Sequence, residues 1–436
     1  MRINLPFKKP RTFEGGVASV ISPTAQLERS VMACLLWEDT FYEDGVSIAE
    51  RIKALVPLCD PETVAAMAIK AREEGKLRHA PLLLMRELAR HPAKPKIADA
   101  LARVIQRADE PAEFLALYWS EGKQPLSRQV KLGLSKALLK FDAYQLAKYN
   151  RPDAIKLRDV LFMVHAKPAN AEQAENWKKL VEGKLPSPDT WEVALSAGAD
   201  KKETFTRLLR EKKLGYMALL RNLRNMTESG VEESLIAEAL LEGAVRSKAL
   251  PFRFVSAARA VPALEPVLDK AMQQVTKSLE RLPGKTLVLV DVSGSMDYPL
   301  SRKSDLRRME AAAALAVLIV GVAEKARVFT FSNELVEVPP RKGMALIDAI
   351  RGSQPHNGTY LGRALAGLPE GYDRIVVVTD EQTADSVPAP NGKGYMINVA
   401  CYENGVGYGK WTHINGFSES VVRYIQAAEA TEQEAT

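Results

Sequence analysis

The chain has 436 residues, long enough for two or three domains, with 26% charged residues and a formal net charge of +6. Its first residues, Met1-Arg-Ile-Asn-Leu-Pro-Phe-Lys-Lys, contain no apolar stretch of the kind a secretory signal needs. Cys34, Cys59 and Cys401 are widely spaced and match no zinc or redox pattern, and none of the five histidines pairs at ligand spacing, which argues against a zinc enzyme and for a reducing cytoplasm.

Charge is divided unevenly. Residues 1–283 hold 45 Lys+Arg against 36 Asp+Glu, whereas residues 284–436 hold 15 against 18. An excess of positive charge on one region favours a polyanionic partner through counterion release, although a basic region can also be merely soluble.

Taken in chain order, residues 1–283 read as almost wholly helical. Segments 25–37, 47–56, 61–74, 80–90, 97–108, 111–120 and 127–141 carry apolar residues at three- and four-residue spacing. Segments 143–149, 156–165, 171–183, 190–198, 201–212, 215–226, 231–243, 248–260 and 263–281 continue the pattern, separated by turn signals such as Cys59-Asp-Pro61 and Leu185-Pro-Ser-Pro188. Many short helices without strands fit stacked helical pairs of the HEAT type, although no fixed-period repeat is visible.

Within this region, 127–149 offers a basic face. Val130, Leu134, Leu138 and Phe141 form the apolar stripe, while Arg128, Lys131, Lys136 and Lys140 fall elsewhere on the helix. Such a face suits phosphate contacts and equally suits plain solvation. His165 follows the apolar run Val160-Leu-Phe-Met-Val164 and reads either as a base-contacting residue or as a satisfied core histidine. Arg78, His79, Arg221, Asn222 and Asn225 read as ties between helices more readily than as RNA contacts.

From 284 onward the pattern changes. Strands are expected at 286–291, 326–331, 374–380 and 395–401, with a short edge at 335–338. Helices are expected at 309–324, 343–351, 360–367 and 418–429, and the apolar core of the first is too short to span a bilayer. Alternation of this kind implies a doubly wound parallel sheet.

Two strand candidates end in carboxylates, Asp291 and Asp380, where open α/β sheets bind ligands. Ser293 and Ser295 follow the first, and a glycine-bearing loop delivers Thr359 before opening a helix. Two carboxylates with hydroxyls form a donor set for a hard divalent cation such as Mg2+. The bland alternative has the serines capping a helix and Asp380 starting a turn. Asp291, Ser293, Ser295, Thr359 and Asp380 together resemble the metal-ion-dependent adhesion site of von Willebrand factor A domains.

The helical half carries a second resemblance. Arg78-His-Ala-Pro-Leu-Leu-Leu-Met-Arg-Glu-Leu-Ala-Arg90, Met217-Ala-Leu-Leu-Arg-Asn-Leu-Arg-Asn-Met226 and Asp159-Val-Leu-Phe-Met-Val-His-Ala-Lys-Pro168 resemble segments of the TROVE module of the Ro autoantigen family. That family joins a helical ring to a C-terminal von Willebrand A domain. The resemblance therefore implies an all-α, HEAT-like helical ring over 1–283 and a Rossmann-like α/β domain over 284–436.

It further implies a noncatalytic protein that binds small noncoding Y or Y-like RNA and single-stranded or misfolded RNA ends, in RNA quality control. Lys148 and Arg151 occupy the stretch that contacts RNA in the family, and His165 matches its histidine; Arg128, Lys136 and Lys140 complete the expected set. The basic pair here is separated by Tyr149 and Asn150, one residue fewer than in animal members. A monomeric cytoplasmic protein without membrane contact, possessing Mg2+ or another divalent cation at the serine-rich corner and a nuclease or other protein as partner through it, is the resulting expectation. The alternative is a protein-adhesion scaffold in which the Mg2+ accepts a partner's carboxylate. An enzyme fits least, since no Cys-His or Ser-His constellation and no Gly-x-x-x-x-Gly-Lys-Ser/Thr loop is present.

Overall fold

The computed structural model describes residues 9–32, 43–150, 154–247, 249–299, 306–400, 402–416 and 420–434. The chain forms two compact units. One comprises residues 23–37 and 45–197; the other comprises 1–22, 38–44 and 198–436.

Among its described residues the first unit contains helices and their connections and no strand. It contains α1 (Pro23–Met32), α2 (Gly45–Leu55), α3 (Pro61–Glu73), α4 (His79–Arg90), α5 (Ala98–Val104) and α6 (Glu110–Tyr118). It continues with α7 (Arg128–Leu138), α8 (Ala143–Tyr149), α9 (Leu157–Val164), α10 (Ala171–Glu182) and α11 (Trp191–Ser196). The starts follow from side chains that satisfy the free N–H groups of a first turn. Asp60 accepts from the Thr63 amide ahead of Pro61, Ser127 accepts from Val130, and Asp142 forms a capping box with Gln145.

At the centre of this unit α4 is buried on nearly every side, including Leu82, Leu83, Leu84, Met85 and Leu88. Burying each such side chain stabilises by roughly 1.5–3 kcal/mol. Ion pairs close its edges: Arg72 meets Glu110 at 2.6 Å and Arg78 meets Asp109 at 2.9 Å. Arg78 thus ties helices together, as its sequence context suggests.

The second unit opens with α12 (Lys201–Arg210), α13 (Tyr216–Glu228), α14 (Glu233–Ser247), α15 (Pro251–Ala260) and α16 (Glu265–Lys277). Asn222 and Asn225 behave differently from expectation: Asn222 donates to the Ala218 carbonyl at 2.9 Å and Asn225 to Asn222 at 3.2 Å, all within α13, and Arg221 is exposed.

The sheet follows. It consists of β1 (Leu282–Asp291), β2 (Ala323–Phe331), β3 (Leu335–Val338), β4 (Arg374–Thr379), β5 (Lys393–Asn398) and β6 (Thr412–Asn415), in the order β3-β2-β1-β4-β5-β6. All pairings are parallel except β2 with β3. The covering helices are α17 (Arg308–Val322), α18 (Gly343–Arg351), α19 (Leu361–Ala366) and α20 (Ser420–Glu434). This is the doubly wound arrangement expected from the alternation of elements, with β3 as an antiparallel edge.

Alternate residues of the central strands fill opposite faces. Leu287, Leu289, Phe331, Val377 and Met396 build one core with Trp411, while α17 is apolar all round and buried against the sheet. Helix α17 ends at Val322 and β2 begins at Ala323, so the strand starts three residues before its expected position. Gly343 shows why α18 starts where it does. Its φ of +60° favours glycine, a Cβ there would collide with the Asp269 carboxylate, and Asp269 accepts from the Met344 amide at 2.8 Å. Among the described residues no helix is long and apolar enough to cross a membrane.

Candidate metal corner and basic face

Strand order reverses at β1, with β2 on one side and β4 on the other, and the crevice beyond their carboxyl ends is where doubly wound sheets place ligands. Val290 pairs with Val378, so Asp291 and Asp380 emerge from neighbouring strand ends. Asp291, Ser293, Thr359 and Asp380 are fully or almost fully buried, and Ser295 is 9% exposed. The structure therefore gathers all five residues in one unit.

Hydrogen bonds connect Asp291, Ser293, Ser295 and Asp380. The Ser293 amide donates to Asp291 Oδ1 at 2.9 Å, and the Thr379 hydroxyl donates to Asp291 Oδ2 at 2.6 Å. The Ser295 hydroxyl donates to Asp380 Oδ2 at 2.6 Å and lies 3.3 Å from Ser293 Oγ. The Gln382 amide donates to Asp380 Oδ1 at 3.1 Å. Thr359 is held through its carbonyl, which accepts from the Ala384 amide at 2.9 Å and the Thr383 hydroxyl at 3.1 Å.

Each carboxylate oxygen accepts at least one hydrogen bond. Burial, reinforced by the neighbouring Asp380 carboxylate, pushes the Asp291 carboxyl well above the usual range. Two buried anionic groups with adjacent hydroxyls fit a hard divalent cation, which would remove that repulsion. Among the described residues no group of three or more His, Cys, Asp and Glu is arranged to hold a metal. The corner is a carboxylate-hydroxyl set and would not suit zinc.

Sequence reasoning missed the supports. Glu381, the residue after Asp380, is fully buried in a left-handed conformation (φ +64°) and pairs with His413 of β6. Such a conformation in a non-glycine residue costs about 1–3 kcal/mol and persists where the surroundings impose it. Asp385 accepts from the Gly362 and Arg363 amides at 2.9 and 2.7 Å, fixing the start of α19 just after Thr359. On the other flank, His356 Nδ1 lies 2.9 Å from Asp297 Oδ2, tying the turn after Ser295 to the loop before Thr359.

The basic residues lie in the helical unit. Val130, Leu134, Leu138 and Phe141 are buried as the stripe requires, and Arg128 is exposed at the start of α7. Lys136 is exposed and pairs with Asp99 at 2.6 Å. Lys140 turns its ammonium onto the carbonyls of Ala102 and Ile105 at the end of α5, where burial pushes its pKa down. That geometry gives Lys140 a helix-packing role.

Lys148 sits 5.9 Å from the ring centres of both Tyr144 and Tyr149, and Arg107 lies 4.6 Å from that of Tyr149. Arg151 lies outside the described residues. His165 is exposed at the end of α9 in a left-handed conformation (φ 53°), so it is not a core histidine. Phe162, one turn earlier, is 61% exposed. Tyr144, Tyr149, Phe162 and Arg107 were not anticipated; the available signal was aromatic residues on the polar faces of α8 and α9.

Residues 181–325 match the TROVE domain. That match covers about a third of the chain. It is similar to telomerase protein component 1 of Rattus norvegicus, with 23% identity over 456 aligned positions, 81% of this chain and 17% of that protein. It is also similar to telomerase protein component 1 of Mus musculus, with 28% identity over 234 positions, 49% of this chain and 8% of that protein. The chain thus spans less than a fifth of the length of either relative.

Among solved structures, the Deinococcus radiodurans RO (RSR) protein matches with a TM-score of 0.59 at 20% identity, covering 91% of this chain and 97% of that one. The fold is that of a Ro protein. The TROVE match runs from the end of α10 through β1 and α17 into β2, so it includes Asp291, Ser293 and Ser295 and none of the basic residues of α7 to α9.

Proposed function

We propose that this TROVE-domain chain is a noncatalytic RNA-binding protein that forms a ribonucleoprotein with a small noncoding, Y-like RNA. In this reading it also takes up single-stranded or misfolded RNA ends in RNA quality control, in the cytoplasm and as a monomer. The TROVE match over 181–325 carries the proposal. The positive excess of residues 1–283 supports it, because phosphate neutralisation supplies most of the affinity of RNA proteins that lack sequence readout. We take 1–283 as the functional RNA-binding domain and 284–436 as the metal-bearing domain.

The contact surface we assign is the exposed part of α7 to α9. Arg128, Lys136 and Lys148 meet phosphates, with Arg151 beside them in sequence. His165 and the exposed Phe162 offer planar faces to unpaired bases, a sequence-tolerant interaction contributing roughly 1–3 kcal/mol per stacked base. Lys140 supports this face through its bonds to α5.

At the corner, Asp291 and Asp380 with Ser293, Ser295 and Thr359 would hold Mg2+ or another divalent cation. When bound, the ion supplies charge neutralisation and an electrophilic point for a partner's carboxylate. The second reading, a Mg2+-dependent adhesion scaffold or a dock for a nuclease, rests on that oxygen donor set. The test is to purify the protein and sequence the RNA that accompanies it. A discrete small-RNA population bound in preference to bulk RNA is expected. Recovery of bulk cellular RNA, or none, would overturn the RNA reading and leave the adhesion scaffold.

A further inference from the structure

The N-terminal segment meets the loop that carries Asp380. Residues 10–18 form a tight hairpin, in which Arg11 bridges to Val17 and the Ala18 amide donates to the Pro10 carbonyl at 2.9 Å. Its inner side lies against 382–384, more than 360 residues away in sequence. The Thr12 hydroxyl, almost fully buried, donates to the Thr383 carbonyl at 2.7 Å and accepts from the Gly16 amide at 2.9 Å. The Phe13 amide donates to the Gln382 side-chain oxygen at 2.8 Å. Gly16 passes so close that a Cβ would collide with the Thr383 carbonyl oxygen. The Ser19 amide donates to Gly405 at 2.9 Å, extending the seam to the loop that contains Asn404.

These contacts end on the metal corner. The Gln382 side-chain amide donates to the Asp380 carbonyl at 3.1 Å and to the Asn404 carbonyl at 2.9 Å, so Phe13 completes the bonding of a side chain that pins Asp380. Thr383, whose carbonyl Thr12 holds, donates its own hydroxyl to the Thr359 carbonyl. One hairpin therefore steadies the backbone at two of the five candidate ligands. Asp380, Glu381, Gln382 and Thr383 are all fully buried, so the loop has little room to adopt another path.

We infer that the N-terminal hairpin is a positioning element of the cation site, with Thr12 and Gly16 its determining residues. The inference rests on the proposed metal reading. Outer partners that orient first-shell ligands typically change metal affinity by about 10–100-fold when removed. Thr12→Val keeps shape and removes both hydrogen bonds, Thr12→Ser keeps them, and Gly16→Ala pushes the hairpin off the Thr383 carbonyl.

The experiment titrates Mn2+ into the 436-residue chain and reads free ion by electron paramagnetic resonance, with circular dichroism confirming the fold of each variant. Asp291→Asn is the control at the corner itself. The expected result is no binding by Asp291→Asn, roughly tenfold or greater weakening in Thr12→Val and Gly16→Ala, and near-native affinity in Thr12→Ser. Native affinity in Thr12→Val and Gly16→Ala, with binding lost in Asp291→Asn, would overturn the hairpin's role and leave the metal reading standing. Native affinity in Asp291→Asn would overturn the metal reading itself. Weakening in Thr12→Ser equal to that in Thr12→Val would overturn the role of the hydroxyl.

Discussion

Replacing Glu429 by alanine provides a quantitative test of how the sheet holds α20. Arg374, at the start of β4, is almost fully buried and donates to both Glu429 carboxylate oxygens at 2.7 Å. Its remaining nitrogen donates to the Thr286 hydroxyl at 2.9 Å, and the Tyr395 hydroxyl donates to Glu429 at 3.1 Å. Removing the carboxylate leaves a buried guanidinium without its counter-charge, which costs about 3–5 kcal/mol. At about 1.4 kcal/mol per decade, that is roughly two to three and a half decades in the local opening equilibrium.

Hydrogen exchange read by mass spectrometry is the suitable assay, because a chain with two compact units need not unfold in one step. Peptides from β4 and α20 should exchange about a hundredfold or more faster in Glu429→Ala, while peptides from α3 to α6 stay unchanged. The double variant Arg374→Met/Glu429→Leu should recover most of the protection, since an apolar pair of similar volume replaces a buried ion pair at little cost. A loss under about 1 kcal/mol in Glu429→Ala would refute the argument and place the pair with weak surface bridges.

Further predictions follow from the same geometry. Burial raises the Glu429 carboxyl, but the hydrogen bonds and charge of Arg374, with the charge of Lys393, outweigh it and hold the pKa below the usual value. Its contribution is therefore present above the unfolded value of about 4.3 and lost as pH falls through the folded one, so exchange from β4 and α20 should accelerate below about pH 4 in the native chain and much less in Glu429→Ala. Asp291 has the opposite sign. Its pKa is raised in the folded protein, so without metal the sheet unit should be more stable near pH 5 than near pH 8, a difference that should vanish in Asp291→Asn when thermal melts are recorded in EDTA. Adding Mg2+ at about 100 times its dissociation constant should stabilise the native protein by about 2.7 kcal/mol and leave Asp291→Asn unmoved. Phe162→Ala and His165→Ala should each weaken single-stranded RNA binding by about 1–3 kcal/mol without changing its salt dependence, measured by filter binding.

Much of this molecule can be read from its sequence, and the reasons are local. Helices such as α7 and α10 announce themselves by a stripe, a cap and, at Gly183, a left-handed stop. The parallel strands stand out because burial on both faces demands unbroken runs such as Arg374–Thr379. The positions of Asp291 and Asp380 are legible because strand ends are a fixed address in a doubly wound sheet. What escaped is nonlocal or marginal. Strand β6 has four half-buried residues and no apolar run. Thr12 and Gly16 serve a loop hundreds of residues away, and nothing in Pro10–Val17 signals that. Lys140 looks like any lysine on a solvated face until α5 places carbonyls under it. The grouping of α12 to α16 with the sheet rather than with the preceding helices depends on packing that composition does not encode.

In the proposed function the helical unit binds RNA through its basic face. The most direct test of this is equilibrium binding of a single-stranded RNA across a salt series, comparing the native protein with Arg128→Glu/Lys148→Glu. The logarithm of the affinity should fall linearly with the logarithm of salt concentration, with a slope smaller by about one for each lost phosphate contact in the variant and an unchanged circular dichroism spectrum. Binding by the variant with the native affinity and slope would contradict it.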